Sequence, residues 1–263
     1  MSKAIDESRE EREVRRFFER HLNLIVTRVP NTTSKTPDFL VDGEIPGYVV
    51  ELKSRFDDDS FFEELEHGTT AVRSRSLGHD RWTQDNARRA RKQMMSGDPT
   101  RERFWVLWFA VECLSSAKAM FDQVIGTLYG VRQVANWNEA THKWNGRDCL
   151  FVVPGVFERW SELDCAIVTL PHQITLCVNE FSEKAETFKS STLYQSFARL
   201  GGPVSPSDLE ANRGFLSIAD RTIDRTDEDA VRNYLSQRYG LEKVQILNMK
   251  AHSAVAVVSR SDT

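Results

Sequence analysis

The chain has 263 residues, 40% hydrophobic and 28% charged, a balance that suits a globular chain of one large domain or one plus a small companion. The formal net charge of −4 excludes a basic field over the whole molecule, and the four cysteines, Cys113, Cys149, Cys165 and Cys177, form no CxxC pair, which argues against a zinc ribbon and for reduced core thiols. FWVLWFAVECL is too short to span a bilayer and the charged start MSKAIDESREEREVRR lacks the apolar middle of a signal peptide, so a cytoplasmic protein without membrane contact is expected.

In SREEREVRRFFERHL, Val14, Phe17, Phe18, His21 and Leu22 recur at helical spacing, and Ser8 with Glu11 predicts a capping box at the start of that helix. LNLIVTRV, PDFLVDG and YVVELKSR read as three strands, the last two joined through the turn GEIPG. TQDNARRARKQMM places Ala87, Ala90 and Met94 on one helical face, and RFWVLWFAVECL reads as a buried strand. Beyond it, ANWNEATHKWNGRD is a polar loop or hairpin carrying Trp137 and Trp144, and CLFVVPGVF, CAIVTL and ITLCVNEF are further strands. LGGPVSPSD reads as a linker. The expected division is therefore a domain over 1–200 and a small strand-helix-strand-strand unit over 207–263, built from GFLSI, EDAVRNYLSQRYG, KVQILNM and SAVAVVSR.

The strand YVVELKSR carries charge where burial is expected. Alternation puts Val49, Glu51 and Lys53 on one face and Tyr48, Val50 and Leu52 on the other. Asp38 opens the preceding hairpin strand, so antiparallel pairing can bring its carboxylate beside Glu51. Two buried carboxylates repel unless something compensates them, and a hard divalent cation with oxygen ligands does so. The bland alternative is a surface hairpin with a solvated Glu51–Lys53 pair, worth under about 1 kcal/mol.

Pro37-Asp38, a short hairpin and Glu51-Leu52-Lys53 resemble the PD-(D/E)xK nuclease superfamily, and about the first hundred residues follow its order of helix, three strands, helix, strand. The resemblance implies an α/β fold with a restriction-endonuclease-like core, followed here by the small C-terminal α+β unit. It implies that Asp38 and Glu51, with the Leu52 carbonyl, hold Mg²⁺, for which Mn²⁺ could substitute, while Lys53 orients or deprotonates the attacking water. Members often add an acid from the first helix, and Glu10, near the Val14–Phe18–Leu22 stripe beside Glu11, is the candidate chosen here. The second helix commonly offers polar groups to phosphates, which points to Gln84, Arg88, Arg91 and Lys92. Arg88 stands where a Gln-x-x-x-Tyr pattern would have Tyr, so the exonuclease-like branches fit poorly. A basic helix can equally be a solvated face.

The expected activity is metal-dependent hydrolysis of phosphodiester bonds in nucleic acid, DNA before RNA and endonucleolytic, with restriction, antiviral defence or repair as settings. The alternative is a non-catalytic nucleic-acid-binding or interaction subunit that keeps the fold. The C-terminal unit is the expected surface for self-association or a partner subunit. No phosphate-cradling GKS or GKT loop is present, which argues against ATP use.

Overall fold

The computed structural model describes residues 7–30, 36–57, 59–66, 70–76, 80–113, 117–248 and 250–255. The chain begins with helix α1 (Arg9–Arg16), which runs into a π-helical turn over Phe17–His21. Its start is a capping box: Ser8 Oγ accepts from the Glu11 N–H at 3.1 Å, and Glu11 Oε2 accepts from the Ser8 N–H at 2.7 Å. Strands β1 (Ile25–Arg28), β2 (Phe39–Asp42) and β3 (Tyr48–Phe56) follow. Helix α2 (Asp59–Glu66) and strand β4 (Ala71–Ser76) then interrupt the expected order before α3 (Arg81–Gly97) and β5 (Phe104–Glu112).

The remainder comprises α4 (Ala117–Leu128), β6 (Arg132–Asn138), β7 (Lys143–Leu150), α5 (Val156–Arg159), β8 (Cys165–Leu170) and β9 (Gln173–Val178). After these come α6 (Ala185–Phe188), α7 (Thr192–Arg199), α8 (Pro206–Arg213), β10 (Leu216–Ser217), α9 (Glu228–Tyr239), β11 (Glu242–Leu247) and β12 (Lys250–Val255). Among the described residues no helix is long and apolar enough to cross a membrane.

A six-stranded mixed sheet in the order β1-β2-β3-β5-β8-β9 forms the centre. The β1–β2, β2–β3 and β8–β9 pairs are antiparallel, whereas β3–β5 and β5–β8 are parallel. Nearly all of β5 is buried, as its unbroken apolar run requires of a strand covered on both faces. Its residues divide by alternation. Phe104, Val106 and Trp108 pack with Val50 of β3, with Val14 and Phe18, and with Phe188, Leu193 and Phe197 of α6 and α7. Trp105, Leu107 and Phe109 pack with Val49 of β3, with Ala87, Ala90 and Met94 of α3, and with Met120, Val124 and Leu128 of α4. Glu51 and Lys53 alternate with Leu52 and so share the face of Val49, the side covered by α3.

The strands expected to build a separate C-terminal unit pair elsewhere. β10 joins β7 and β11 joins β6 in a four-stranded sheet of order β10-β7-β6-β11, and β12 pairs with β4. Leu209, Leu216, Val231, Leu235 and Val244 belong to the same core as Val49 and Leu107, because the partners that bury them lie before residue 200. The expected strand SAVAVVSR extends beyond Val255 into positions outside the described residues. Two further expectations change. LGGPVSPSD is not all linker: Ser205 caps α8 by accepting from the Asp208 N–H at 3.2 Å, with Pro206 in the first turn. CLFVVPGVF is not one strand, since β7 ends at Leu150 and the chain turns at Phe151, whose φ is 59°.

Candidate functional site

Phe39 of β2 stands opposite Val50 of β3, and Leu40 opposite Val49. Continued by one residue, this register sets Asp38 opposite Glu51, at the point where the hairpin opens. Asp38 Oδ2 accepts a hydrogen bond from the Leu52 backbone N–H at 2.7 Å, which fixes its carboxylate against β3. Glu51 is fully buried. Its Oε1 accepts from the Lys53 ammonium, while Oε2 has no hydrogen-bond partner. A buried carboxylate oxygen left without a donor is costly, and this one lies beside a second carboxylate.

The electrostatics follow from that arrangement. Burial, then the charge of Asp38, pushes the Glu51 carboxyl up to about 8, against the opposing pull of Lys53. Asp38 is also raised, again by burial first, with the Leu52 N–H and the Lys53 charge acting the other way. Both groups hold protons more tightly than free carboxylates do. A bound cation would reverse that preference, since metal ligands must be deprotonated.

Lys53 is held from two sides. Its Nζ donates to Glu51 Oε1 and to Gln93 Oε1, the latter at 3.2 Å. Gln93 Nε2 in turn donates to the Thr36 carbonyl at 3.1 Å, so one amide ties α3 to both the lysine and the chain leading into Asp38. Neither Gln93 nor Thr36 was among the residues selected from sequence. The available signal was that Gln93 sits beside Met94 and three residues from Ala90, bordering the buried stripe of α3 rather than opposing it. One step along β3 on the same face, Arg55 pairs with Asp80 at 2.6 Å and lies over the Trp82 ring. Asp80 also caps α3 through the Thr83 N–H at 2.9 Å, so this neighbouring pair anchors the helix.

The structure does not bring Glu10 to Asp38 and Glu51. Glu10 lies where its charge acts on Glu112, at the far end of β5. Glu11 is the α1 carboxylate felt by Asp38, but its oxygens are engaged by Ser8 and by Arg28 Nη2 at 2.7 Å. The reason is directional: α1 covers the opposite face of the sheet, and its Glu11 side looks toward the edge strands β1 and β2.

The α3 residues divide. Arg88 is exposed and pairs with Asp85 at 2.9 Å, and Arg91 donates to Glu162 at 3.2 Å. Lys92 is exposed and has no ion-pair partner among the described residues. Gln84 is half-buried in the first turn, with its N–H donating to the Asp80 carbonyl at 3.1 Å. Arg89, exposed and one turn before Gln93, is a further cation on the flank that reaches Lys53, outside the set expected from the helix pattern. A cavity of about 350 Å³ lined by Lys118, Asp122, Arg132 and Asp148 shares none of these residues.

Two carboxylates, one with an unpartnered oxygen, match the needs of Mg²⁺, which takes one or two protein carboxylates and fills its other positions with water and phosphate. Among the described residues no three His, Cys, Asp or Glu side chains are grouped as a metal site, so a more protein-rich cage of the zinc or calcium kind has no counterpart here. No family model matches the chain, and no curated protein or solved structure matches it.

Proposed function

We propose that the protein is a divalent-metal-dependent nuclease that hydrolyses internal phosphodiester bonds, with DNA as the preferred substrate. The observation that carries this reading is Glu51: a fully buried carboxylate with one oxygen unpartnered, opposite Asp38 and beside a lysine. A side chain kept in that state needs a role, because an apolar residue would fill the position at lower cost. Asp38 and Glu51, with the Leu52 carbonyl, are the groups that would hold Mg²⁺ or Mn²⁺. A divalent cation there supplies a lowered pKa for the attacking water and neutralises charge on the phosphodiester.

The chain's own residues do the rest. Lys53, steadied by Gln93, directs its ammonium at the nucleophile or a phosphate oxygen, and preorganised charge of this kind acts most strongly in the transition state. Asp38, fixed by the Leu52 N–H, keeps its second oxygen for a ligand. Arg89 and Lys92 supply cations to the phosphate backbone from the adjoining helix.

The test is incubation of the purified full chain with circular DNA, linear DNA and RNA, in Mg²⁺, Mn²⁺ or EDTA, beside the Lys53→Ala variant. Metal-dependent cleavage that falls by about 10²–10³-fold in Lys53→Ala, with duplex binding retained, is the expected result. Full activity in Lys53→Ala overturns the assignment, and binding without cleavage under every metal condition favours the non-catalytic role instead.

A further inference from the structure

Helix α3 touches the chain leading into Asp38 at two successive turns. Gln93 Nε2 donates to the Thr36 carbonyl, and one turn on, along the same side of the helix, the Gly97 backbone lies against the ring of Pro37. A Cβ added at Gly97 would stand 2.6 Å from Pro37 Cγ and 2.7 Å from Pro37 Cδ, closer than real side chains approach. Among the described residues beyond the adjoining turns of α3, no third atom lies within 4 Å of that position. The backbone itself does not call for glycine: Gly97 ends the helix without the positive φ of Gly43 or Gly130, and alanine is the better helix former. Nor does the core call for it, since Gly97 is exposed. What the glycine supplies is room for Pro37.

The two sides of this contact are held unequally. On the helix side, Ala90 and Met94 are fully buried, and Asp98 ties the end of α3 to β5: its N–H donates to the Met94 carbonyl at 2.8 Å and its carboxylate accepts from Trp105 Nε1 at 3.0 Å. On the other side, Thr36 is held by the Gln93 bond and by a 3.4 Å contact of its hydroxyl with the Pro30 carbonyl. A methyl group at position 97 would therefore displace Pro37 rather than the helix. Asp38 follows Pro37 directly, and the Leu52 N–H at 2.7 Å seats its carboxylate. The same displacement draws the Thr36 carbonyl away from Gln93, the amide that also holds Lys53.

We propose that Gly97 is a positioning residue for the Asp38–Lys53 site: its missing side chain lets Pro37 bed on α3, and that contact sets the Asp38 carboxylate against β3 and keeps Gln93 on Lys53. The consequence for metal binding rests on the nuclease reading, whereas the seating of the carboxylate does not. Supports outside the ligand set act on affinity because they fix where the ligands point.

The experiment is a double-mutant cycle of Gly97→Ala and Pro37→Ala in the full chain, with two readouts. Amide hydrogen exchange at Leu52, followed by NMR in EDTA, reports the seat of Asp38 without metal, and calorimetric titration with Mg²⁺ reports the site as a ligand. Gly97→Ala should speed Leu52 exchange about tenfold, the worth of one hydrogen bond, and weaken Mg²⁺ binding about tenfold. In the Pro37→Ala background both effects of Gly97→Ala should shrink to under about twofold, because the two ring atoms that the new Cβ meets are gone. Amides of β5 should exchange at the parent rate throughout, which separates positioning from loss of the fold. Unchanged Leu52 exchange in Gly97→Ala, an equal change in both backgrounds, or faster exchange along all of β5 overturns the proposal. A wild-type chain that binds no Mg²⁺, with the Leu52 effect present and relieved by Pro37→Ala, overturns the nuclease reading and supports the role of Gly97 in seating Asp38.

Discussion

Two fully buried carboxylates lie on this sheet, Glu51 on β3 and Asp164 just before β8, and they are satisfied to different degrees. Asp164 Oδ2 accepts from the Trp105 N–H at 2.7 Å, and Oδ1 accepts from Arg101 Nη2 at 2.7 Å and from the Ser182 hydroxyl. Asp98 completes this cluster by accepting from Trp105 Nε1 and from the Glu102 and Arg103 N–H groups, each at 3.0 Å. Both oxygens of Asp164 are bonded, while Glu51 Oε2 has no partner. Burial raises both carboxyls above their usual range, so burial alone does not separate them. What separates them is the accounting of donors: Asp164 closes its network, whereas Glu51 leaves one oxygen free, as the proposed ligand role requires.

The sharpest way to break this contrast is to neutralise each group. Glu51→Gln should fold with stability near that of the parent while losing nearly all of the metal-dependent cleavage that the proposed function expects, since it replaces the buried ionisable carboxyl that this reading assigns to the metal. Asp164→Ala strands Arg101 and the Trp105 N–H and should cost about 3–5 kcal/mol of stability, read by urea denaturation. If Glu51→Gln destabilises the chain as much as Asp164→Ala does, Glu51 is a structural ion-pair member and the contrast is wrong.

A second test uses pH. The folded chain holds the Glu51 proton more tightly than the unfolded chain does, with Glu51 raised to about 8 and Asp38 raised in the same direction. A raised carboxyl contributes stability that is complete below its unfolded value and is lost as pH climbs through its folded value. Without metal, stability should therefore fall between about pH 5 and pH 8 relative to Glu51→Gln, the two carboxyls titrating as a coupled pair. Mg²⁺ should restore more stability at the upper end of that window, because ionised ligands bind it. Thermal melts of both chains in EDTA and in Mg²⁺ measure this, and parallel curves across the window would remove the shifted titration.

The parts legible in the sequence were those set by local periodicity. Alternation in YVVELKS put Glu51 and Lys53 on one face, and the short hairpin implied the Asp38–Glu51 adjacency that the β2–β3 register supports. The stripe of Ala87, Ala90 and Met94 marked the buried face of α3. What escaped was decided by partners distant in the chain. The C-terminal strands looked self-sufficient because their hydrophobic pattern does not name the strand they join, and β6, β7 and β4 supply the pairing. FVV after Leu150 reads as strand because apolar residues report burial, while the backbone there turns. Glu10 and Glu11 flank the same stripe, and only the placement of α1 against β1 and β2 selects the side that Asp38 feels. SPSD, by contrast, carries a readable cap with Pro in the first turn, which the linker signal of the preceding glycines masks.

The smallest effects lie on the basic face of α3, where the comparison between engaged and free groups applies to cations. Arg91 is tied to Glu162, and an exposed phosphate must displace that carboxylate to use it. Arg88 has a weaker hold, an exposed pair with Asp85 one turn away, of a kind worth about 0.3–0.5 kcal/mol. Lys92 and Arg89 are exposed without ion-pair partners among the described residues, and Arg89 shares the Gln93 flank. A phosphate contact made by a free cation requires no exchange of partner, so the free pair should carry more of the salt-dependent binding than the engaged pair. Arg89→Ala with Lys92→Ala is therefore expected to flatten the slope of log duplex affinity against log salt by up to about 1.8, two duplex phosphate contacts, with affinity reduced alike for all sequences. Arg91→Ala should change that slope by well under about 0.9, the value of a single duplex contact. Duplex binding titrated against salt in EDTA separates the two. A slope lost equally in both variants would mean that the Glu162 pair opens on binding, and a slope lost in neither would return the whole face to solvent.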